Sequence, residues 1–156
     1  MRVGIGYDIH ILERGRRLML GGVRIPYPKG LKGHSDGDVL FHAIVDAVLG
    51  ALGEGDIGEH FSDKNKKYKG ADSLLFVKET MKLLKKSRLK ISSVDSTIVA
   101  EAPKLSDHKE RMRKSVSRAF GVSLSRVNVK AKTNEGLGEI GRKQAIACFA
   151  VVGLTK

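Results

Sequence analysis

At 156 residues the chain accommodates one domain, and a chain of this length buries roughly two thirds of the surface its unfolded form exposes, so no staple is required. Its 29 Lys and Arg against 17 Asp and Glu leave a net charge of +12, which favours anionic partners. With no Trp and only three Tyr it offers few platforms for stacking bases, and no apolar run approaches the roughly 18 residues of a membrane span, so neither a nucleic-acid nor a membrane partner is expected.

The chain opens directly on the alternating stretch Arg2-Val3-Gly4-Ile5, which lacks the charged head, apolar region and small-residue cleavage site of a signal peptide; it reads as cytoplasmic. Strands are predicted over 2–7 and 18–25, with Gly21 and Gly22 marking a bend or bulge in the second. A helix from Asp38 to Leu52 gathers Val39, Ile44, Val45, Val48 and Leu49 on one face. Ser35, three residues before Asp38, supplies a capping arrangement for it. A second helix, 72–86, turns Leu74, Val77, Met81 and Leu84 to one side. Ile91 to Glu101 reads as a strand, and Pro103 breaks the chain before a third helix over 106–120, where Met112, Val116 and Phe120 recur at four-residue spacing.

From Val127 to Thr133 apolar and polar residues alternate as in a half-buried strand. Residues 145–152 are almost continuously apolar and fit a central strand, although periodicity alone also admits a buried helix segment. Cys148 lies in this run; as the only cysteine it cannot form a disulfide within the chain, and a buried, inert thiol in a reducing compartment is expected. Strands and helices interleave. The fold class is α/β (α+β): one domain over residues 1–156, a mixed β-sheet with helices packed on one face.

Asp8 and His10 stand two apart at the predicted end of the first strand, so their side chains share a face. His42, on the first helix, is placed to complete a carboxylate and two imidazoles. Such a donor set suits zinc and leaves one position open. Asp38 and Asp46 lie four residues either side of His42 on the same helical stripe, where one of them can accept the other ring N–H; the plainer alternative is a helix cap, a solvated acid and a core histidine. The run Gly33 to Asp38 at the helix N-terminus suits an anion such as phosphate, or ordinary capping and turn chemistry. Gly136, Gly138 and Gly141 spell G-x-G-x-x-G, but the residues after Gly141 read as a strand with no following helix and acid, which excludes a dinucleotide fold. Glu135 beside this loop suits a hard cation and Arg142 a phosphate.

Taken together, Tyr7-Asp8-Ile9-His10, the run from His34 through His42 to Ala51, Gly55-Asp56-Ile57-Gly58 and Phe61-Ser62-Asp63 closely resemble the 2-C-methyl-D-erythritol 2,4-cyclodiphosphate synthase family. The likeness continues through Lys69 to Ser73, Ala102-Pro103-Lys104, Val127 to Lys130, Thr133, Glu135, Leu137-Gly138 and Gly141-Arg142, covering essentially the whole chain.

The resemblance implies a homotrimer with active sites between neighbouring subunits, acting in the non-mevalonate isoprenoid pathway. The implied reaction converts 4-diphosphocytidyl-2-C-methyl-D-erythritol 2-phosphate into the cyclic diphosphate and CMP. It further implies that Asp8, His10 and His42 bind zinc or another divalent transition metal, that Glu135 helps hold Mg²⁺ or Mn²⁺, and that His34 and Thr133 support the transition state. Asp8, Ile9, His10, His34, Ser35, Asp56, Ile57, Gly58, Phe61, Ser62 and Asp63, with Lys64 and Asn65 beside them, are implied substrate contacts around the methylerythritol part. Ala100, Glu101, Ala102, Pro103, Lys104, Leu105 and Ser106, with Lys132 and Thr133 of the neighbouring subunit, are the implied cytidine pocket; Asn134, Glu135, Glu139 and Arg142 are implied contacts as well. Some positions depart from the family pattern. Ser62 stands where proline is common, Lys132 and Asn134 flank Thr133 in place of small hydroxyl residues, and Glu139 replaces an aromatic residue near the trimer axis.

Overall fold

The computed structural model describes every residue except 63, 64, 66, 67 and 69. Its frame is a five-stranded mixed sheet in the order β4-β1-β7-β5-β6. The strands are β1 (Arg2–Arg14), β4 (Lys29–Leu31), β5 (Lys90–Val99), β6 (Val127–Lys132) and β7 (Ala145–Thr155). β1 pairs antiparallel with both β4 and β7, β7 antiparallel with β5, and β5 parallel with β6. β2 (Leu18–Leu20) and β3 (Val23–Ile25) form a separate hairpin.

The helices are α1 (Val39–Leu52), α2 (Ile57–His60), α3 (Leu74–Lys86), α4 (Lys109–Phe120) and α5 (Gly138–Gly141). None of the described helices is long and apolar enough to cross a membrane. α1 lies on the inner face of β1 and β7, α3 packs beside it, and α4 packs against α3 and β6. The core sits between them, with Phe41, Phe120, Leu40, Ile44, Leu49, Ile98 and Ile146 fully buried. β7 is the central strand, and Cys148 within it is buried and free, its thiol pushed up by burial.

Two glycines bring α1 unusually close to β1. A Cβ at Gly4 would stand 2.0 Å from the Ala47 carbonyl oxygen, and one at Gly6 would stand 2.0 Å from that of Ala43. Only hydrogen fits at either position, and Ala43 and Ala47 keep the opposing helix face equally thin.

β1 runs to Arg14, past the boundary expected at Tyr7, because Ile9, Ile11 and Leu12 continue the alternation and the ladder with β7 extends to Ile11↔Ala145. Asp8 and His10 therefore lie mid-strand. The predicted strand over 18–25 is instead a hairpin closed by Gly21 and Gly22, with φ of 60° and 70°; two successive positive φ values make the tight turn whose twist matches antiparallel strands. The cap of α1 is Asp38 itself, whose carboxylate accepts from Leu40 N–H and Phe41 N–H, so Ser35 does not cap the helix. The same carboxylate takes Gly21 N–H at 2.7 Å and Gly22 N–H at 2.6 Å, tying the hairpin to the start of α1. The predicted third helix divides into a 3-10 turn at Ser106–His108 followed by α4. On α3 the buried residues are Phe76, Val77, Thr80 and Leu84, so the inward stripe is rotated from the expected one: Leu74 and Met81 are only partly buried. β4, α2 and α5 are too short to carry a readable period.

Candidate active site

Even-numbered residues of β1 point inward, toward α1, which places Asp8 and His10 under the first turn of that helix. His42 comes down from α1 to meet them. Asp8 Oδ2 lies 2.9 Å from His42 Nδ1 and 3.0 Å from His10 Nε2, and the two ring nitrogens are 3.3 Å apart. Donors of a tetrahedral site with bonds of about 2.0–2.1 Å are separated by about 3.3 Å. Three donors already converge near that spacing, with side chains 23%, 21% and 9% exposed for Asp8, His10 and His42. They form a group able to hold a metal ion, and the nitrogen and oxygen chemistry fits a divalent transition metal. Burial pushes the Asp8 carboxyl up, but hydrogen bonds and charge from His10 and His42 outweigh it and hold the carboxyl well below the usual carboxylate range.

The far nitrogen of His42 turns away from this cluster. His42 Nε2 lies 2.8 Å from Ser73 Oγ and 3.1 Å from Ser35 Oγ. The expected partners at i±4 are therefore replaced. Asp38 is committed to the hairpin and the helix cap, and Asp46 Oδ1 accepts the Ile57 N–H at 3.2 Å, fixing the start of α2.

A cleft of about 540 Å³ opens over the three donors. It brings together Asp8, His10, His34, Ser35, His42, Ile57, Gly58, Phe61 and Ser62 of the expected set, along with Gly33, Tyr68 and Phe76. One wall is aromatic: Phe61 and Phe76 stack at 4.7 Å, and Tyr68 meets each edge-on at 5.6 Å. Asp56 stays outside the lining and caps α2 through Glu59 N–H at 3.0 Å. Asn65 is exposed, its N–H donating to the Ser62 carbonyl at 2.9 Å. Asp63 and Lys64 lie outside the described residues.

The second group of expected contacts gathers elsewhere. Ala100, Glu101, Pro103, Lys104, Leu105, Ser106, Lys132 and Thr133 line a cleft of about 290 Å³ within one subunit. Among the described residues it shares no lining residue with the metal cleft. The Ala102-Pro103 bond beside it is cis. Glu101 Oε2 accepts from Asn134 N–H at 3.2 Å and Gly136 N–H at 3.4 Å, which holds the turn carrying Thr133 and Glu135. Thr133 Oγ1 donates to Glu135 Oε1 at 2.7 Å. The glycine-rich loop that follows is a tight turn, since a Cβ at Gly141 would lie 2.0 Å from the Gly136 carbonyl carbon. Arg142 is paired with Glu139 at 2.7 Å, and Glu139 shares a third cleft with Ile9 and His10.

The sequence profile of the YgbB family matches residues 1–155. This chain belongs to the YgbB family. A 2-C-methyl-D-erythritol 2,4-cyclodiphosphate synthase from Alkaliphilus oremlandii is 53% identical over 100% of this chain and 99% of its own length. A solved 2C-methyl-D-erythritol-2,4-cyclodiphosphate synthase, in a form bound to CDP, is similar with a TM-score of 0.91 at 38% identity, covering 99% of this chain and 100% of that one. The bifunctional IspDF of Campylobacter jejuni is similar with a TM-score of 0.89 at 40% identity over 98% of this chain, which spans 42% of that longer chain.

Several residues of this YgbB-family site escape sequence reasoning. Tyr68 and Phe76 build the aromatic wall, and Ser73 meets His42 across 31 residues of chain. The excess of aromatic residues between Phe61 and Phe76 is the one local signal for the wall. Nothing in the spacing marks Ser73, because its contact depends on how α3 begins beside the Gly33 to Asp38 loop.

Proposed function

We propose that the chain is a 2-C-methyl-D-erythritol 2,4-cyclodiphosphate synthase that converts 4-diphosphocytidyl-2-C-methyl-D-erythritol 2-phosphate to the cyclic diphosphate and CMP. The observation that carries this reading is the convergence of Asp8 Oδ2, His10 Nε2 and His42 Nδ1 in the wall of a cleft. In the reaction an oxygen of the 2-phosphate attacks the β-phosphorus. The bond from that phosphorus to the bridging oxygen breaks, and CMP leaves with the electron pair.

The attacking phosphate is already anionic at neutral pH, so no general base is required; the demand is to hold repelling anions in line and to offset charge as CMP departs. A transition metal such as zinc at Asp8, His10 and His42 would supply a Lewis acid at a phosphate oxygen, and Mg²⁺ or Mn²⁺ with help from Glu135 would offset charge on the diphosphate. His34 and Ser35 flank the donors and face the same cleft; they are read as phosphate contacts. Ile57, Gly58, Phe61 and Ser62, with Asp56, Asp63, Lys64 and Asn65 nearby, enclose the methylerythritol part. The cleft of residues 100, 101, 103–106, 132 and 133, with Ala102 next to it in the chain, takes the cytidine, and Thr133 joins His34 in supporting the transition state.

This reading includes a neighbour, as the family resemblance implies, and it is supported by the metal cleft and the cytidine cleft having no described lining residue in common. In it a homotrimer brings one subunit's metal cleft against the next subunit's cytidine cleft. The outer face of the sheet supports it: Val3, Ile5, Tyr7, Ile9, Ile11, Phe149 and Val151 expose between 42% and 69% of their surface, a contiguous apolar strip of the kind that marks association. A cytoplasmic setting is in keeping with the single buried thiol of Cys148.

The test is to incubate the purified protein with the diphosphocytidyl substrate, zinc and magnesium. CMP and the cyclic diphosphate are expected in equal amounts. Linear hydrolysis products instead would indicate a phosphodiesterase that admits water.

A further inference from the structure

The hydrogen between His42 Nε2 and Ser73 can be assigned from the groups around them. Ser73 Oγ donates its only hydrogen to Asp36 Oδ1 in a short contact. As a carboxylate, Asp36 only accepts: Oδ1 also takes Asp38 N–H at 3.2 Å, and Oδ2 takes Ser73 N–H at 3.2 Å. Toward His42, 2.8 Å away, the Ser73 hydroxyl therefore presents lone pairs alone. Two lone pairs facing across that distance would repel, so the ring nitrogen must carry the hydrogen. Ser35 Oγ, 3.1 Å from the same nitrogen, takes the Gly37 N–H at 3.3 Å. In a metal-loaded site an imidazole whose hydrogen is on Nε2 offers its lone pair from Nδ1, the atom that stands beside Asp8 and His10; without an ion that same atom is a hydrogen-bond partner of the Asp8 carboxylate.

This arrangement is buried and held by backbone. Ser73 is fully buried and His42 is 7% exposed, which leaves little room for water to substitute. Asp36 N–H donates to the Ala71 carbonyl at 3.0 Å and Gly70 N–H to the His34 carbonyl at 2.7 Å, so the two loops are clasped independently of any ion.

We propose that Asp36 and Ser73 are positioning residues: a relay from Asp36 through Ser73 to His42 Nε2 fixes the tautomer and ring plane in which His42 offers Nδ1 to a divalent cation. The relay rests on the metal reading of Asp8, His10 and His42 given above. It predicts that Asp36→Asn is disruptive without removing an atom, because both carboxylate oxygens are acceptors and the amide turns one of them into a donor. With that amide against Ser73, the serine hydrogen is released toward His42 and the opposite tautomer gains.

The experiment is zinc affinity of the full-length protein, measured by competition with a chromophoric chelator, alongside the visible spectrum of the cobalt-loaded protein. Ser73→Ala and Asp36→Asn are each expected to bind zinc roughly 10–100-fold more weakly and to shift the cobalt bands, while Ser73→Thr, which retains the hydroxyl, recovers affinity relative to Ser73→Ala. Asp36→Asn carries the test where a Ser73 variant fails to fold. Wild-type protein that binds zinc together with variants of unchanged affinity and spectrum overturns the relay alone; wild-type protein that binds no zinc overturns the metal reading and the relay with it.

Discussion

His42 Nδ1 lies 2.9 Å from Asp8 Oδ2, and 34 positions of sequence separate the two residues. One is fixed by the ladder of β1 with β7, the other by the seating of α1 on that strand, so the metal-binding geometry reports how well helix and sheet are docked.

His42→Ala removes one of three donors and leaves the helix cap and the β1–β7 ladder untouched. Bound zinc is expected to be lost, and product formation to fall on the order of 10³-fold, the scale of several kcal/mol of charge stabilisation. Elemental analysis and the product assay read these effects, and an unchanged far-ultraviolet circular dichroism spectrum shows that the fold survives.

Gly6→Ala acts on the same geometry without touching a ligand. The new methyl would meet the Ala43 carbonyl at 2.0 Å, and backbone cannot yield as a side chain does. The expected loss is roughly 1–3 kcal/mol or more, read by denaturant unfolding, with weaker zinc binding as α1 lifts. Full stability in this variant would contradict the close approach.

Acid unfolding of the metal-free protein tests Asp8. Its folded-state carboxyl is held below the ordinary carboxylate value. A group depressed on folding contributes stability that is complete above the unfolded value, about 3.9 for Asp, and is lost as pH falls through the folded one. Asp8→Asn removes that contribution, so the gap in stability between wild type and variant should narrow as pH drops below about 4. A gap independent of pH in that range counts against the paired carboxylate.

Ile5→Lys places a charge in the middle of the exposed apolar strip, where Ile5 is 69% accessible in the single subunit. If neighbouring subunits cover that strip, an unpaired ammonium there costs several kcal/mol. Light scattering should then report monomers that retain zinc but have lost product formation. An intact trimer would sink the assignment of this face to assembly.

Thr80→Val addresses stability alone. Thr80 Oγ1 is the one buried side-chain polar atom without a hydrogen-bond partner among the described residues. Replacing the hydroxyl with a methyl of the same shape removes an uncompensated desolvation cost, and unfolding is expected to shift toward greater stability by roughly 1 kcal/mol.

Much of this was legible in the sequence because it rests on local periodicity. The alternation of 127–133 and the apolar run of 145–152 correspond to β6 and β7, and the pairing of Asp8 with His10 follows from the period of a strand. The site also shows where local reasoning stops. Helical spacing offered Asp38 and Asp46 to His42, yet Asp38 is drawn to the Gly21–Gly22 turn and Asp46 to α2, both contacts made by chain brought in from other segments. Ser73 and Asp36 meet 37 positions apart through a clasp of two loops, and no spacing rule reaches across such a contact.

β1 carries two messages in alternate letters. Its even positions, Asp8 and His10 among them, face α1, while Val3, Ile5, Tyr7, Ile9 and Ile11 face outward. Inserting or deleting a single residue between Gly4 and Asp8 would put the two halves of the strand out of phase, so that the donors and the odd-numbered apolar side chains could no longer both keep their faces. The donors and the exposed apolar strip thus share one reading frame in this strand: outward positions can exchange one apolar residue for another, but the spacing from Gly4 to His10 is fixed.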